Sequence, residues 1–253
     1  MKAIRRLRER SAAGPDDLPA IFFKRCGSQL SVPLQSLFAK SLRDGVLPDE
    51  WKISKIVPIY KKGARSEPAN YRPVALTCIA GKLMERIVRD VVSSHLESNG
   101  LITSHQHGFR AGCSTQTVLL ECFNDWMRFL DKGQSVDVVY FDVSKAFDTV
   151  VHSKLLSKLS MYGVNGPIFS WIKDFLSDRR QFVSLNNARS SYCPVITGVP
   201  QGSVLGPLLF VIYTADVIEI AARHGVRIHA YADDLQTYMS CAATDHQAAS
   251  TRL

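Results

Sequence analysis

Two adjacent aspartates, Asp233 and Asp234, constrain this chain more than any other feature, because the residues on both flanks alternate with a period of two. Val226, Ile228 and Ala230 alternate with Arg227, His229 and Tyr231; after the pair, Leu235, Thr237 and Met239 alternate with Gln236, Tyr238 and Ser240. That pattern predicts a β-hairpin with both carboxylates at its turn. Neighbouring carboxylates repel, so a compact fold keeps them together only where they face solvent or share a cation. A hairpin tip permits either, and Asp is a common turn residue for local reasons alone. A chemical role therefore needs more: a third carboxylate, groups that bind phosphate, and a track for a polyanion.

The third carboxylate has a candidate in Asp142. The run Val136 to Val143 is close to continuously apolar, which predicts a strand buried on both faces of a sheet. A carboxylate near the end of such a strand is costly to desolvate unless a cation meets it. A helix is predicted from Lys145 to about Leu159, with Phe147 and Asp148 in its first turns; Asp148 also suits a helix N-terminus for electrostatic reasons alone.

Phosphate binders are offered by a predicted hairpin. Ile53 to Tyr60 and Tyr71 to Thr77 read as its strands, with Pro58 arguing for a sheet edge. Its basic residues Lys61, Lys62 and Arg72 form either a cationic flap able to close on phosphates or ordinary solvated decoration. Further on, Thr197 to Pro207 is a Gly/Pro-rich loop that passes into an apolar helix from Leu208 to Asp216. Its glycines let a backbone approach a ligand closely and Gln201 adds a neutral donor and acceptor, unless the loop merely turns a corner.

Other segments are mostly helical. Residues 1–50 read as a helical preamble broken at Gly14-Pro15, with amphipathic segments at Leu18 to Cys26 and Val32 to Leu42. Ala80 to Leu96 has helical spacing. The loop Gln106 to Gly112 leads to Ser114, a predicted N-cap for a helix ending near Lys132; its Phe109 and Arg110 suit either a nucleic-acid backbone or a plain helix connection. Ile168 to Leu176 is predicted helical with Trp171 as core anchor, and Phe182 to Leu185 as a strand.

With 31 Lys and Arg against 23 Asp and Glu, the net charge is +8, which suits a polyanionic partner. No apolar run approaches the roughly 18 residues that would span a bilayer, and no signal-like segment follows the basic start. The six cysteines lie far apart without a C-x-x-C pair, which predicts reduced thiols in an intracellular protein, nuclear or cytoplasmic, rather than disulfides. His105, His107 and Cys113 are close in sequence, but their spacing does not argue for zinc.

Taken together, several blocks resemble the reverse transcriptases of non-LTR (LINE-like) retrotransposons. They are Asn70 to Leu76, His107 to Arg110, Phe141 to Asp148, Gly198 to Pro207, and Tyr231 to Asp234. The resemblance covers about residues 14–245 and is specific because all blocks occur in family order. It implies an α+β polymerase right-hand fold with fingers at about 51–135 and palm at about 136–253, after an N-terminal helical extension over 1–50.

By the same resemblance, Asp142, Asp233 and Asp234 match the metal-binding catalytic triad, and Val143 the backbone-carbonyl ligand. Two magnesium ions are implied, with manganese as substitute, about 3.5 to 4 Å apart between the primer 3′-hydroxyl and the triphosphate. Gln201 and Gly202 match the loop beneath the incoming dNTP. Arg72, and less closely Lys61 and Lys62, match the hairpin that holds the triphosphate, and Phe147 falls where the family excludes a ribose 2′-hydroxyl. The implied partners are an RNA template, a DNA primer and dNTPs. The departure is at the end: beyond Tyr238 little chain remains, so the palm is expected to be truncated and the thumb and endonuclease absent. Two functions follow, an RNA-directed DNA polymerase or a catalytically silent nucleic-acid-binding fragment of one.

Overall fold

A computed structural model describes residues 2–186 and 188–242. Helices α1 (Lys2–Arg5), α2 (Ala20–Arg25) and α3 (Gly27–Asp44) come first, then strands β1 (Ile53–Tyr60) and β2 (Tyr71–Leu76). Helices α4 (Ile79–Ser98) and α5 (Thr115–Leu130) lead to β3 (Gln134–Asp142). Next come α6 (His152–Met161), α7 (Gly166–Leu176), β4 (Arg179–Leu185), β5 (Ala188–Arg189) and β6 (Cys193–Val195). The described chain ends with α8 (Gly206–Arg223), β7 (Arg227–Tyr231) and β8 (Asp234–Ala242). The fold is thus mixed α/β, in two compact units interleaved along the sequence. The first comprises the described residues of Met1–His95 and Phe147–Gly206, the second those of Leu96–Ala146 and Pro207–Leu253. The stretch after Ala242, where the sequence suggests a curtailed palm, lies outside the described residues.

In the first unit β1 pairs antiparallel with β2 and parallel with β4, and β5 and β6 each add to β4. Pro58 corrects a simple expectation. Its strand is internal, but the pairing with β4 spans only Ile53 to Ile56, so the proline sits where β1 has run past its parallel neighbour. On the other side Pro58 lies opposite Pro73. Two residues without N–H groups can face each other only at a non-hydrogen-bonded position of the ladder.

The N-terminal helices belong to this unit's core: Ile4, Leu7, Ala20 and Phe23 pack with Ile79 and Leu83 of α4. Trp171 of α7 is fully buried, and its indole N–H donates to Ser41 Oγ at 3.0 Å, satisfying the one polar group that burial would otherwise strand. Buried Lys52 is matched by Asp174 at 2.8 Å.

The second unit is a three-stranded antiparallel sheet in the order β3-β8-β7. Alternation along the strands supplies it with two apolar faces. On one lies α5, whose Val118 and Cys122 pack with Tyr238, Val136 and Val138. On the other lies α8, whose Ile218 packs with Ile228, Ala230 and Leu235. Ser114 caps α5 as its sequence predicts, its Oγ accepting from Thr117 N–H while Thr117 Oγ1 accepts from Ser114 N–H.

Two expectations are overturned here. The run Val136 to Val143 is not buried on both faces: among the described residues β3 pairs with β8 alone, and Tyr140, Phe141 and Val143 are exposed. Its apolar pattern records a strand with a helix over Val136 and Val138, not a central strand of a covered sheet. Nor does one helix run from Lys145 to Leu159. A 3-10 turn over Ala146–Thr149 precedes α6, Lys145 adopts a positive φ of 52°, and the Val150 carbonyl is taken by the Gly198 N–H at 2.8 Å, outside any helix.

Candidate active site

In the second unit the β7–β8 register runs from Arg227 opposite Tyr238 to Tyr231 opposite Asp234. Ala232 and Asp233 are left as a two-residue turn, and Asp234 is the first residue of β8. Ala232 has a φ of 61°, the sign a tight hairpin needs at its first central position and one that costs an L-residue about 1–3 kcal/mol. Something must hold it there.

The holder is Gln106, which is buried. Its Oε1 accepts from the Ala232 N–H at 3.1 Å and the Gly108 N–H at 2.7 Å. The backbone beside it is pinned to β7, with His107 N–H donating to the Ala230 carbonyl and Ala230 N–H to the His105 carbonyl, at 2.8 and 2.9 Å. Gly108 is required because a Cβ there would press into the Ala232 amide nitrogen. The loop Gln106 to Gly112 is therefore neither a plain connection nor simply a surface: its first residues clamp the two-aspartate turn. Sequence reasoning missed Gln106, since nothing local marks a Gln in a loop as a clamp.

The β3–β8 ladder ends with Asp142 directly opposite Asp234. The structure thus brings the third carboxylate to the same corner as the other two. Asp142 is exposed, so the cost of burying it, on which the sequence argument leaned, does not arise; the register itself is what sets it across from Asp234. Val143 follows, its carbonyl accepting a long 3.3 Å bond from Ala146 N–H; a carbonyl oxygen carries two lone pairs. Carboxylates and a carbonyl are hard oxygen donors of the kind magnesium takes, so the residues present fit such an ion.

In the first unit the Gly/Pro-rich loop is fastened at several places. Val199 N–H donates to the Phe147 carbonyl at 2.9 Å, and Ala75 N–H of β2 to the Gln201 carbonyl at 2.7 Å. Gly202, at a φ of 119°, packs so closely on the Ala75 carbonyl that no Cβ fits. A further fastening is Glu85, a buried carboxylate on α4 whose Oε2 accepts from Val204 N–H at 2.6 Å and Leu205 N–H at 3.0 Å. Burial pushes the Glu85 carboxyl above its ordinary range, against the opposing pull of those N–H groups and the Arg179 charge. Sequence reasoning missed it too, because a Glu in an amphipathic helix reads as solvated.

Gln201, Gly202 and Phe147 are thereby held in one loop system with the end of β2, the strand that carries exposed Arg72. Lys61 and Lys62 lie in the exposed hairpin connection, with Lys61 N–H donating to the Asn70 carbonyl. Phe147 is half-buried, in the 3-10 turn.

Comparison with known proteins places these features in a family. Residues 59–253 match the reverse transcriptase (RNA-dependent DNA polymerase) model, and the chain belongs to that family. It is 31% identical over 241 residues to a probable RNA-directed DNA polymerase from transposon BS of Drosophila melanogaster, covering 93% of this chain and 26% of that protein. An RNA-directed DNA polymerase from the mobile element jockey of Drosophila funebris is 32% identical over 92% of this chain and 26% of its own length. A putative 115 kDa protein of the type-1 retrotransposable element R1DM is 30% identical over 92% and 22%. These are relatives of the non-LTR kind, and the chain spans about a quarter of their length.

Two substitutions test the fastenings. Gln106→Ala is expected to destabilise the second unit by about 1–3 kcal/mol for each N–H left unpaired, read as a lower urea midpoint; an unchanged midpoint would remove the clamp. For Glu85 the folded carboxyl holds its proton more tightly than the unfolded one, so its contribution to stability is full below about pH 4.3 and is lost as pH rises through its higher folded value. Glu85→Gln should remove that component, giving a flatter fall of stability as pH rises above the ordinary carboxyl range in parallel denaturation series.

Proposed function

We propose that this chain is the RNA-directed DNA polymerase portion of a non-LTR retrotransposon protein, adding dNTPs to a primer 3′-hydroxyl against an RNA template. The observation that carries this reading is the register that sets Asp142 opposite Asp234, with Asp233 in the adjoining clamped turn. In this reading the second unit supplies the catalytic part of a right-hand palm, and the β1–β2 hairpin belongs to the fingers.

Asp142, Asp233, Asp234 and the Val143 carbonyl would hold two divalent ions, magnesium or manganese. Such ions supply Lewis acidity at the attacking and leaving oxygens of an in-line displacement. The chain's own residues do the positioning. Arg72 presents a fixed guanidinium fork to the triphosphate, with Lys61 and Lys62 as mobile point charges nearby on the hairpin. Gln201 and Gly202 form a platform whose close backbone approach only glycine allows. Phe147, tied through its carbonyl to Val199, offers a rigid ring beside the sugar that leaves no room for a 2′-hydroxyl.

Primer extension on an RNA template with dNTPs and magnesium tests the reading. Asp234→Asn removes one charge from a cluster of three and should relieve repulsion, so it is expected to fold normally while slowing extension at least about a thousandfold, the equivalent of ~4 kcal/mol in the barrier. Extension by the variant near the wild-type rate would overturn the assignment. Phe147→Val separates a steric gate from a core residue: a gate predicts a marked fall in the ratio of dNTP to rNTP incorporation, whereas a core Phe predicts an unchanged ratio and a lower melting temperature.

A further inference from the structure

On the α5 face of the second unit stands a different cluster. The extended segment through Gln106 pairs with β7 in parallel, bridging Gln106 to Ala230. Side chains alternate along such a ladder, so with Gln106 and Ala230 on one side, His105 and His107 emerge on the same side as His229. Helix α5 lies over that side and adds Glu121 and, one turn on, Asp125. Ligand atoms of His105, Glu121 and His229 all lie within 4.8 Å of one another.

His229 is the informative residue. It is 2% exposed, and neither ring nitrogen has a hydrogen-bond partner. A buried imidazole usually has one. Its Nδ1 is 3.4 Å from Glu121 Oε2, and its ring is held flat against Tyr238 with centroids 5.7 Å apart. His105 meets it edge-on at 4.8 Å.

Around this trio is a second set of partners. His107 Nε2 lies 3.2 Å from Glu121 Oε2, with its Nδ1 2.8 Å from Thr117 Oγ1. Asp125 Oδ2 sits 3.9 Å from His229 Nε2 and accepts from Tyr238 Oη at 2.6 Å and Arg227 at 2.7 Å.

We propose that His105, Glu121 and His229 form a binding site for a zinc-class transition ion, distinct from the aspartate corner. Two imidazoles and a carboxylate are a donor set that zinc favours over magnesium, and the exposure of His105 and Glu121 leaves a further position to water. The ion would staple α5, the Gln106 segment and β7 together, bracing the residues that clamp the Tyr231 to Asp234 turn. The sequence pattern hid the site because its ligands come from three separate segments, and Cys113, the nearest cysteine, is not among the clustered ligands.

The test uses the untagged chain, stripped with chelator and titrated with zinc against a chromophoric competitor in excess magnesium. One zinc per chain is expected, with a rise in melting temperature. His105→Ala and Glu121→Gln change exposed side chains and should leave the fold intact by circular dichroism. Each is expected to weaken binding by about 100-fold or more, at least what loss of an outer partner costs. Asp234→Asn should leave zinc affinity unchanged, which separates this site from the proposed catalytic one. Cobalt substitution should give a visible spectrum without thiolate charge transfer. Failure of the wild-type chain to bind zinc, equal binding by the His105→Ala and Glu121→Gln variants, loss of zinc in Asp234→Asn, or a thiolate spectrum would each overturn the proposal.

Discussion

A like-charged pair held in register is the constraint on which the second unit turns. Antiparallel pairing sets Asp142 opposite Asp234, and like charges in that position oppose folding by up to about 1 kcal/mol. A slip of one residue would separate them but would also turn every side chain of β3 to the wrong face. The slip is blocked by what lies on the covered face of β3: Val136 and Val138, packed with Tyr238 against α5. Burial of one such large side chain is worth about 1.5–3 kcal/mol, more than the repulsion it overrules. A cost at the surface is thus imposed by packing underneath.

The same logic operates at the turn and in the first unit's loop. Ala232 keeps a left-handed backbone because buried Gln106 accepts from its N–H and Gly108 leaves it space. The loop from Gly198 to Leu205 is fixed by backbone bonds to Phe147, Val150 and Ala75 and by the Glu85 carboxylate. In both cases a segment carrying candidate site residues is held by hydrogen bonds to groups elsewhere in its own unit. Segments fastened in this way lose little entropy on binding, which is what a positioning site requires.

Much of this was legible in one dimension. Period-two alternation around Asp233 and Asp234 located the β7–β8 hairpin, Ser114 marked the start of α5, and Trp171 stood out as a core anchor; all three signals are local, set by strand geometry, capping and side-chain size. Less legible were elements whose fate depends on neighbours. Val136 to Val143 carries the composition of a central strand, yet its place at the sheet edge depends on which strands pair. The apolar and turn signals after Asp142 ran together into one helix until the pairing of Val150 with Gly198 divided them.

Read in one dimension, the chain supplies the chemical groups and their order: three aspartates, a basic hairpin, a glycine-rich loop, and motifs sufficient to indicate the reverse transcriptase family. Which of those groups meet follows from pairing and packing. The tertiary structure placed Asp142 across from Asp234, drew Gln106 under Ala232, buried Glu85 against the Val204 and Leu205 amides, and gathered His105, Glu121 and His229 on one face. The reason is physical: spacing along a chain fixes which face of its own strand or helix a side chain occupies, but pairing and packing choose the neighbour on that face.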